Sequence, residues 1–140
     1  MTRASKADCR RARQRPHIHL LASESDFVAE LALKAEHRQP VVAAMLLGEI
    51  ERAELHGPET MPEGHVALGS HVEFIDEKTG TKRTVQLVLP AKADLEAARI
   101  SILTPMGAAL YGLGTDECID WPDLSGQERR ITIVRVSSAD

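Results

Sequence analysis

Aromatic residues are scarce in this chain: two Phe, one Tyr and one Trp make up 3% of its 140 residues. Pockets for small ligands and platforms that stack nucleic-acid bases are both built largely from such rings. A glycine-rich loop of the kind that cradles phosphates is also missing from the sequence. We therefore expect no cofactor.

Cysteine and long apolar runs are sparse as well. Cys9 and Cys118 stand far apart and show no CxxC or Cys/His spacing, which is typical of two free thiols and argues against a zinc site or a disulfide scaffold. No apolar run approaches membrane-spanning length, and the first residues lack the apolar core of a secretory signal. We expect a cytoplasmic protein with no membrane partner.

The net charge of −4 is distributed unevenly along the chain. Residues 1–15 carry six basic residues and one acid, a charge of +5, which leaves −9 for the remainder. We interpret residues 1–16 as a disordered, solvated basic tail, with a contact to phosphates or to an acidic protein surface as the alternative. The acidic body argues against sequence-specific nucleic-acid binding, because much of the affinity for nucleic acid comes from basic residues that neutralise its phosphates.

The first half of the chain has the apolar spacing of two helices. Residues 17–21 (HIHLL) are predicted to be extended, residues 26–36 to form one helix and residues 41–56 a second one that stops at Gly57-Pro58. Phe27, Val28, Leu31 and Ala35 are expected to share the apolar face of the first helix. Together they predict a short antiparallel helical hairpin, a coiled coil, over residues 17–60. Its tip presents Glu36, His37, Arg38 and Gln39, either as a functional group or simply as a soluble turn.

The second half changes to the alternation of strands. Strands are predicted at residues 66–75, 84–89, 100–103, 117–121 and 129–136, with a short helix after the third. The prediction is an α+β fold in which residues 64–137 form a curved antiparallel sheet with one short helix against it.

The short helix is the best-defined local signal. Thr104 suits the N-cap, Pro105 the first helical position and Gly112 the residue after the helix. Because the block offers no acid–base pair and no metal ligands, we interpret it as a helix that holds the fold and whose first turn is available to a partner.

Other polar residues provide weak candidates for chemistry. His17-x-His19 is a possible metal pair, but without a third ligand ordinary surface histidines are the favoured interpretation. Ser70-His71 lacks the framework of a catalytic triad, and the pairs Asp76-Glu77 and Asp116-Glu117 lie at predicted turns, where acids are usually solvated. We therefore predict no catalytic residue and no metal site.

Three segments in this order carry a family resemblance. LVLPAK (87–92) and TPMGAALYGL (104–113), with EIERAEL (49–55) in the second helix, resemble Rnk, the small bacterial regulators of nucleoside diphosphate kinase. The wider pattern, GSHVEF, ISILTPMGAALYGLGTDECIDW and RRITIVRV, resembles the GreA/GreB transcript cleavage factors. The resemblance covers roughly residues 16–136 and implies an FKBP-like C-terminal domain.

The resemblance implies a bacterial protein that binds RNA polymerase. In Gre factors the globular domain docks beside the secondary channel, and two acidic residues at the hairpin tip help to hold magnesium for RNA cleavage. Gre factors carry Asp-Ser-Pro in the loop that docks on the polymerase. The resemblance implies that the docking loop of this chain is Leu103, Thr104, Pro105 and Met106, in which Leu103 replaces the acid. The hairpin tip of this chain has Glu36 as its single acid. The expected function is a monomeric, non-enzymatic regulator that competes with Gre factors without stimulating cleavage.

Two alternatives remain. One is a true Gre-type cleavage and elongation factor, and the other is an FKBP-like prolyl isomerase, which the low aromatic content disfavours. An effect on nucleoside diphosphate kinase, implied by the name of the relatives, is expected to be indirect.

Overall fold

The protein is described by a computed structural model that covers residues 18–122 and 125–138, without the side chains of residues 121 and 122. The predicted basic tail, residues 1–16, lies outside the described residues. Within them, no helix is both long and apolar enough to span a membrane.

The first helical region is a hairpin closed by a pair of short strands. Strand β1 (His19–Leu21) leads into helix α1 (Ala22–Ala35), and helix α2 (Pro40–Arg52) leads into strand β2 (Glu54–His56). The two helices pack against each other, and β1 and β2 pair in parallel. The hairpin is therefore tied together at the end opposite its tip. Its coiled-coil geometry stays a prediction.

Three details of the hairpin differ from the prediction. Helix α1 begins at Ala22, before the predicted start, and Phe27, expected on its apolar face, is 49% exposed. Helix α2 ends at Arg52 instead of residue 56, because Glu54–His56 pairs with β1. A contact with a distant strand has overridden the local helical pattern there.

The second region is a five-stranded sheet with one helix against it. After β3 (His71–Asp76) and β4 (Thr81–Val88), two short 3₁₀ turns lead to β5 (Arg99–Ser101), helix α3 (Pro105–Leu110), β6 (Cys118–Pro122) and β7 (Glu128–Ser137). The strand order is β5-β4-β3-β7-β6. All neighbours are antiparallel except β4 and β5, which are parallel, so the prediction of a wholly antiparallel sheet is wrong at this edge.

The predicted strand at residues 66–75 forms only from His71 onward. Val66 instead bonds to the chain after α3: its amide donates to Leu113 O at 2.8 Å, and its carbonyl accepts from Gly112 N at 2.9 Å. Gly69 has a φ of 89°, a conformation that interrupts an extended strand. The mixed α+β class is confirmed, whereas the FKBP-like designation stays a prediction.

One hydrophobic core runs through both regions. It includes Val28 of α1 and Leu46 of α2 as well as Phe74 of β3 and Ile133 of β7, all at most 1% exposed.

The expectation of two free thiols is wrong for Cys118, which is disulfide-bonded. Spacing along the chain could not show this, because it carries no information about which cysteines meet in space.

Candidate functional site

The turn that opens α3 is closed by the side chain of Thr104. Its hydroxyl accepts a hydrogen bond from Gly107 N at 3.0 Å and donates one to Ser101 O at 2.7 Å, while Pro105 occupies the first helical position. The predicted N-cap is confirmed. These two hydrogen bonds fix the direction in which α3 leaves β5.

Gly107 allows α3 to lie directly on the backbone of β5. A Cβ at this position would be 2.1 Å from Ser101 O and 2.9 Å from Ile102 Cα. Both are backbone atoms and cannot move aside, so only glycine fits. This close approach holds the turn of Thr104 and Pro105 rigidly against the sheet.

The four residues predicted to dock a partner differ in their exposure. Leu103 is only 9% exposed and belongs to the hydrophobic core. Thr104, Pro105 and Met106 are half-buried. Any contact at this position of the chain therefore depends on the side chains of residues 104–106, and the docking role itself stays a prediction.

The hairpin tip is a polar turn between α1 and α2. Glu36, His37, Arg38 and Gln39 are all exposed, and the amides of Arg38 and Gln39 donate to Ala35 O at 3.1 and 2.8 Å. Within the described residues, Glu36 belongs to no group of three possible metal ligands. The tip thus offers one carboxylate with a histidine and an arginine next to it in the chain.

A half-buried carboxylate that the sequence did not reveal joins the hairpin to the sheet region. Glu24 Oε1 in α1 accepts a hydrogen bond from Leu68 N at 3.2 Å and from the hydroxyl of Tyr111, at the end of α3, at 3.1 Å. Burial raises the pKa of Glu24 despite these two bonds, and burial together with the charge of Glu24 raises the pKa of Tyr111. No local motif marks this contact, since its members are far apart in the chain.

Three of the four acids that were predicted to be solvated at turns have specific side-chain partners. Asp76 pairs with Arg129 and accepts from Lys78 N at 3.0 Å. Partial burial alone would raise the pKa of Asp76, but these interactions outweigh it and lower the pKa. Glu77 accepts from Thr132 Oγ1 at 2.6 Å and Glu117 from Gly114 N at 2.8 Å. These contacts fix turns and neighbouring strands.

The histidine pair of the sequence is not seen as a pair. His17 lies outside the described residues, whereas His19 on β1 meets His56 on β2. The sequence gives no indication of this second contact, because the two residues are 37 positions apart.

The segment that contains the five-stranded sheet, α3 and its capped turn matches a known protein family. Residues 61–138 match the family described as "Transcription elongation factor, GreA/GreB, C-term". Because the match covers more than half of the chain, the protein belongs to the GreA/GreB family of transcription elongation factors.

Individual relatives refine this assignment. The chain is similar to the regulator of nucleoside diphosphate kinase of Escherichia coli K12, with 38% identity over 80 residues, which is 57% of this chain and 59% of that protein. It is also similar to the transcription elongation factor GreA of Acidiphilium cryptum, with 31% identity over 134 residues, 90% of this chain and 85% of that one. The chain thus matches somewhat more than half of the regulator's length.

A solved structure agrees with the whole fold. The prokaryotic transcription elongation factor GreA/GreB from Nitrosomonas europaea superimposes with a TM-score of 0.70 at 32% identity, covering 88% of this chain and 99% of that one. The likeness extends over the hairpin region as well as the sheet. The predicted resemblance to Rnk and to the GreA/GreB family is therefore confirmed.

Proposed function

We propose that this GreA/GreB-family chain is a non-enzymatic regulator of the Rnk type that binds bacterial RNA polymerase as a monomer. It docks at the rim of the secondary channel and competes there with Gre-type factors without stimulating transcript cleavage. A polymerase partner implies that the protein acts in the cytoplasm. Any effect on nucleoside diphosphate kinase is then an indirect consequence of altered transcription.

The single carboxylate at the hairpin tip carries the non-enzymatic part of the proposal. Magnesium takes hard oxygen ligands, and in Gre factors the tip supplies two acids. Here Glu36 is followed by His37 and Arg38, whose side chains give magnesium no carboxylate oxygen. A tip of this composition is poorly suited to hold a second metal ion for the attacking water.

The turn at the start of α3 supports the docking part. The cap of Thr104 and the close approach at Gly107 present residues 104–106 on a rigid base, as a docking surface requires. The buried side chain of Leu103 stands where Gre factors carry an acid. We therefore expect weaker binding than that of a Gre factor, at the same place.

A competition experiment tests the docking. Immobilised bacterial RNA polymerase should retain the wild-type chain, and a Gre factor should displace it. Pro105→Arg, which changes the surface at the first position of α3, should weaken retention. Pro90→Arg is the matched control, because Pro90 also opens a helical turn and is exposed. Retention that a Gre factor does not reduce would refute the proposed site.

A stalled elongation complex separates this proposal from the alternative of a true cleavage factor, which the similarity to GreA favours. We expect no stimulation of RNA cleavage by the wild type or by Glu36→Ala, while GreA, assayed in parallel, stimulates it. Cleavage by the wild type that Glu36→Ala abolishes would show that the tip works as in Gre factors.

The prolyl isomerase alternative has little structural support. Phe74 and Tyr111 are at most 1% exposed and Phe27 lies on α1, so these rings do not line an open pocket in the sheet region. A chymotrypsin-coupled peptide assay should therefore detect no isomerisation.

A further inference from the structure

Three possible metal ligands meet where the hairpin is tied together. In the parallel pair of β1 and β2, His19 lies opposite Glu54 and Leu21 opposite His56. Because side chains alternate along a strand, Glu54 and His56 point to the same face, the one that His19 also uses. The two strands at the base of the hairpin, β1 and β2, thus both contribute side chains to one cluster.

The ligand atoms of this cluster are close together. His19 Nδ1 is 2.9 Å from His56 Nε2 and 3.9 Å from Glu54 Oε1, and His56 Nε2 is 3.9 Å from Glu54 Oε2. In the described part of the chain, no other group of three or more His, Cys, Asp or Glu residues is arranged in this way. The two histidine side chains are largely buried, at 24% and 13% exposure, and Glu54 at 53% is open to solvent.

These separations are near those of a tetrahedral metal centre. Ligands bound to zinc at about 2.1 Å in tetrahedral directions are about 3.4 Å from one another. To reach this spacing, His19 Nδ1 and His56 Nε2 would have to separate by about half an ångström. Each carboxylate oxygen of Glu54 would have to approach the histidine nitrogen nearest to it by a similar amount. Glu54 is 53% exposed, so solvent leaves space for this movement of its side chain.

The rings are also held in orientation by their surroundings. His65 packs edge-on against His19 with ring centroids 4.6 Å apart, and its own Nδ1 is 3.1 Å from Gly112 O. The His19 and His56 rings are stacked at 5.1 Å. One of the two facing nitrogens must carry the hydrogen of the 2.9 Å contact, and metal binding requires that ring to change tautomer so that both present lone pairs.

We infer that His19, His56 and Glu54 form a binding site for a divalent transition metal, with zinc as the best-suited ion. Two imidazoles and one carboxylate are a donor set that zinc accepts, with a fourth position left for water. The ion would connect the strand that enters the hairpin with the strand that leaves it. Its effect is to stabilise the base of the hairpin, independently of any contact with polymerase.

Zinc titration of the full chain, after dialysis against a chelator, tests this site. Competition with a chromophoric chelator, together with metal analysis, should give one zinc per chain. His56→Gln and Glu54→Gln should each weaken zinc binding by at least about tenfold, since even the loss of a residue that only supports a ligand costs this much. His71→Gln and Glu59→Gln are matched controls at exposed positions outside the cluster and should bind as the wild type does.

Two further readouts keep the test decisive. Zinc should shift the ring NMR signals of His19 and His56 but not those of His71, and at one zinc concentration it should raise the Tm of the wild type more than that of Glu54→Gln. Glu54 is half exposed, so this variant is expected to fold even if His56→Gln does not. Absence of binding at micromolar zinc, or binding that persists unchanged in Glu54→Gln without shifts at His19 and His56, would overturn the site.

Discussion

At the scale of single residues, two helical glycines of this chain have opposite constraints. Gly107 in α3 faces the backbone of β5, where an added Cβ would lie 2.1 Å from Ser101 O. Gly48 in α2 has no atom within 4 Å of an added Cβ. Glycine is therefore required at the first position by packing, whereas at the second it only costs helix stability.

We predict that alanine has opposite effects at these positions. Gly107→Ala should lower the free energy of unfolding by about 1–3 kcal/mol or more, because rigid backbone atoms cannot relax. Gly48→Ala should raise it by about 0.5–1 kcal/mol, the difference in helix propensity. Urea denaturation of the two variants measures both values. A Gly107→Ala protein as stable as the wild type would mean that α3 can move away from β5.

At the scale of elements, Glu24 links α1 to the segment before β3 and to the end of α3. Burial raises its pKa above the ordinary value of 4.5, so the folded protein holds this proton more tightly than the unfolded chain. The stability from this group is then fully present below pH 4.5 and is lost as the pH rises through the higher pKa of the folded state.

The predicted consequence is a pH-dependent difference between the wild type and Glu24→Gln. Glutamine keeps an oxygen that can accept from Leu68 N and Tyr111 but does not ionise. Relative to this variant, the wild type should lose stability as the pH rises from 4.5 towards neutrality, as measured by urea denaturation at a series of pH values. Glu30→Gln, at an exposed position of the same helix, is the control. A wild type that instead gains stability over Glu24→Gln as the pH rises would contradict the raised pKa that partial burial gives Glu24.

The elements also show which parts of the fold a sequence can predict. The cap of α3 was predictable because Thr104 and Pro105 are adjacent in the sequence and both suit the start of a helix. The hairpin tip was predictable in the same way, because four consecutive polar residues, 36–39, separate the two apolar repeats. Strand β2 was not predictable, because its residues join a helix by local pattern and become a strand only through pairing with β1.

The candidate sites follow the same division. The single acid at the tip can be read from four consecutive residues, but its role depends on a partner outside the chain. His19 and His56 are 37 positions apart and their contact depends on the parallel pairing. Leu103 was included in the predicted docking loop because the resemblance aligns it with an acid of Gre factors, whereas its side chain packs into the core.

At the scale of the whole molecule, the hairpin and the sheet share their interior. We keep the division into residues 17–60 and 64–137 as a proposal about function. In this proposal the helical hairpin, residues 17–60, projects its tip towards the polymerase channel, and residues 64–137 dock on the polymerase. The continuous core through Leu46 and Phe74, together with the bonds of Glu24, argues that the two parts nevertheless gain stability from each other.

The last prediction is that the hairpin and the sheet unfold as one cooperative unit. Leu46 in α2 is fully buried, so Leu46→Ala should lower the free energy of unfolding by about 2–5 kcal/mol. If the core is shared, amide hydrogen exchange should become faster by the same factor at Val28 of α1 and at Val72 of β3. Leu33→Ala, at a position 55% exposed on α1, should change neither. A loss of protection at Val28 alone would mean that the hairpin opens separately, and the sheet would then be the only rigid base for a partner.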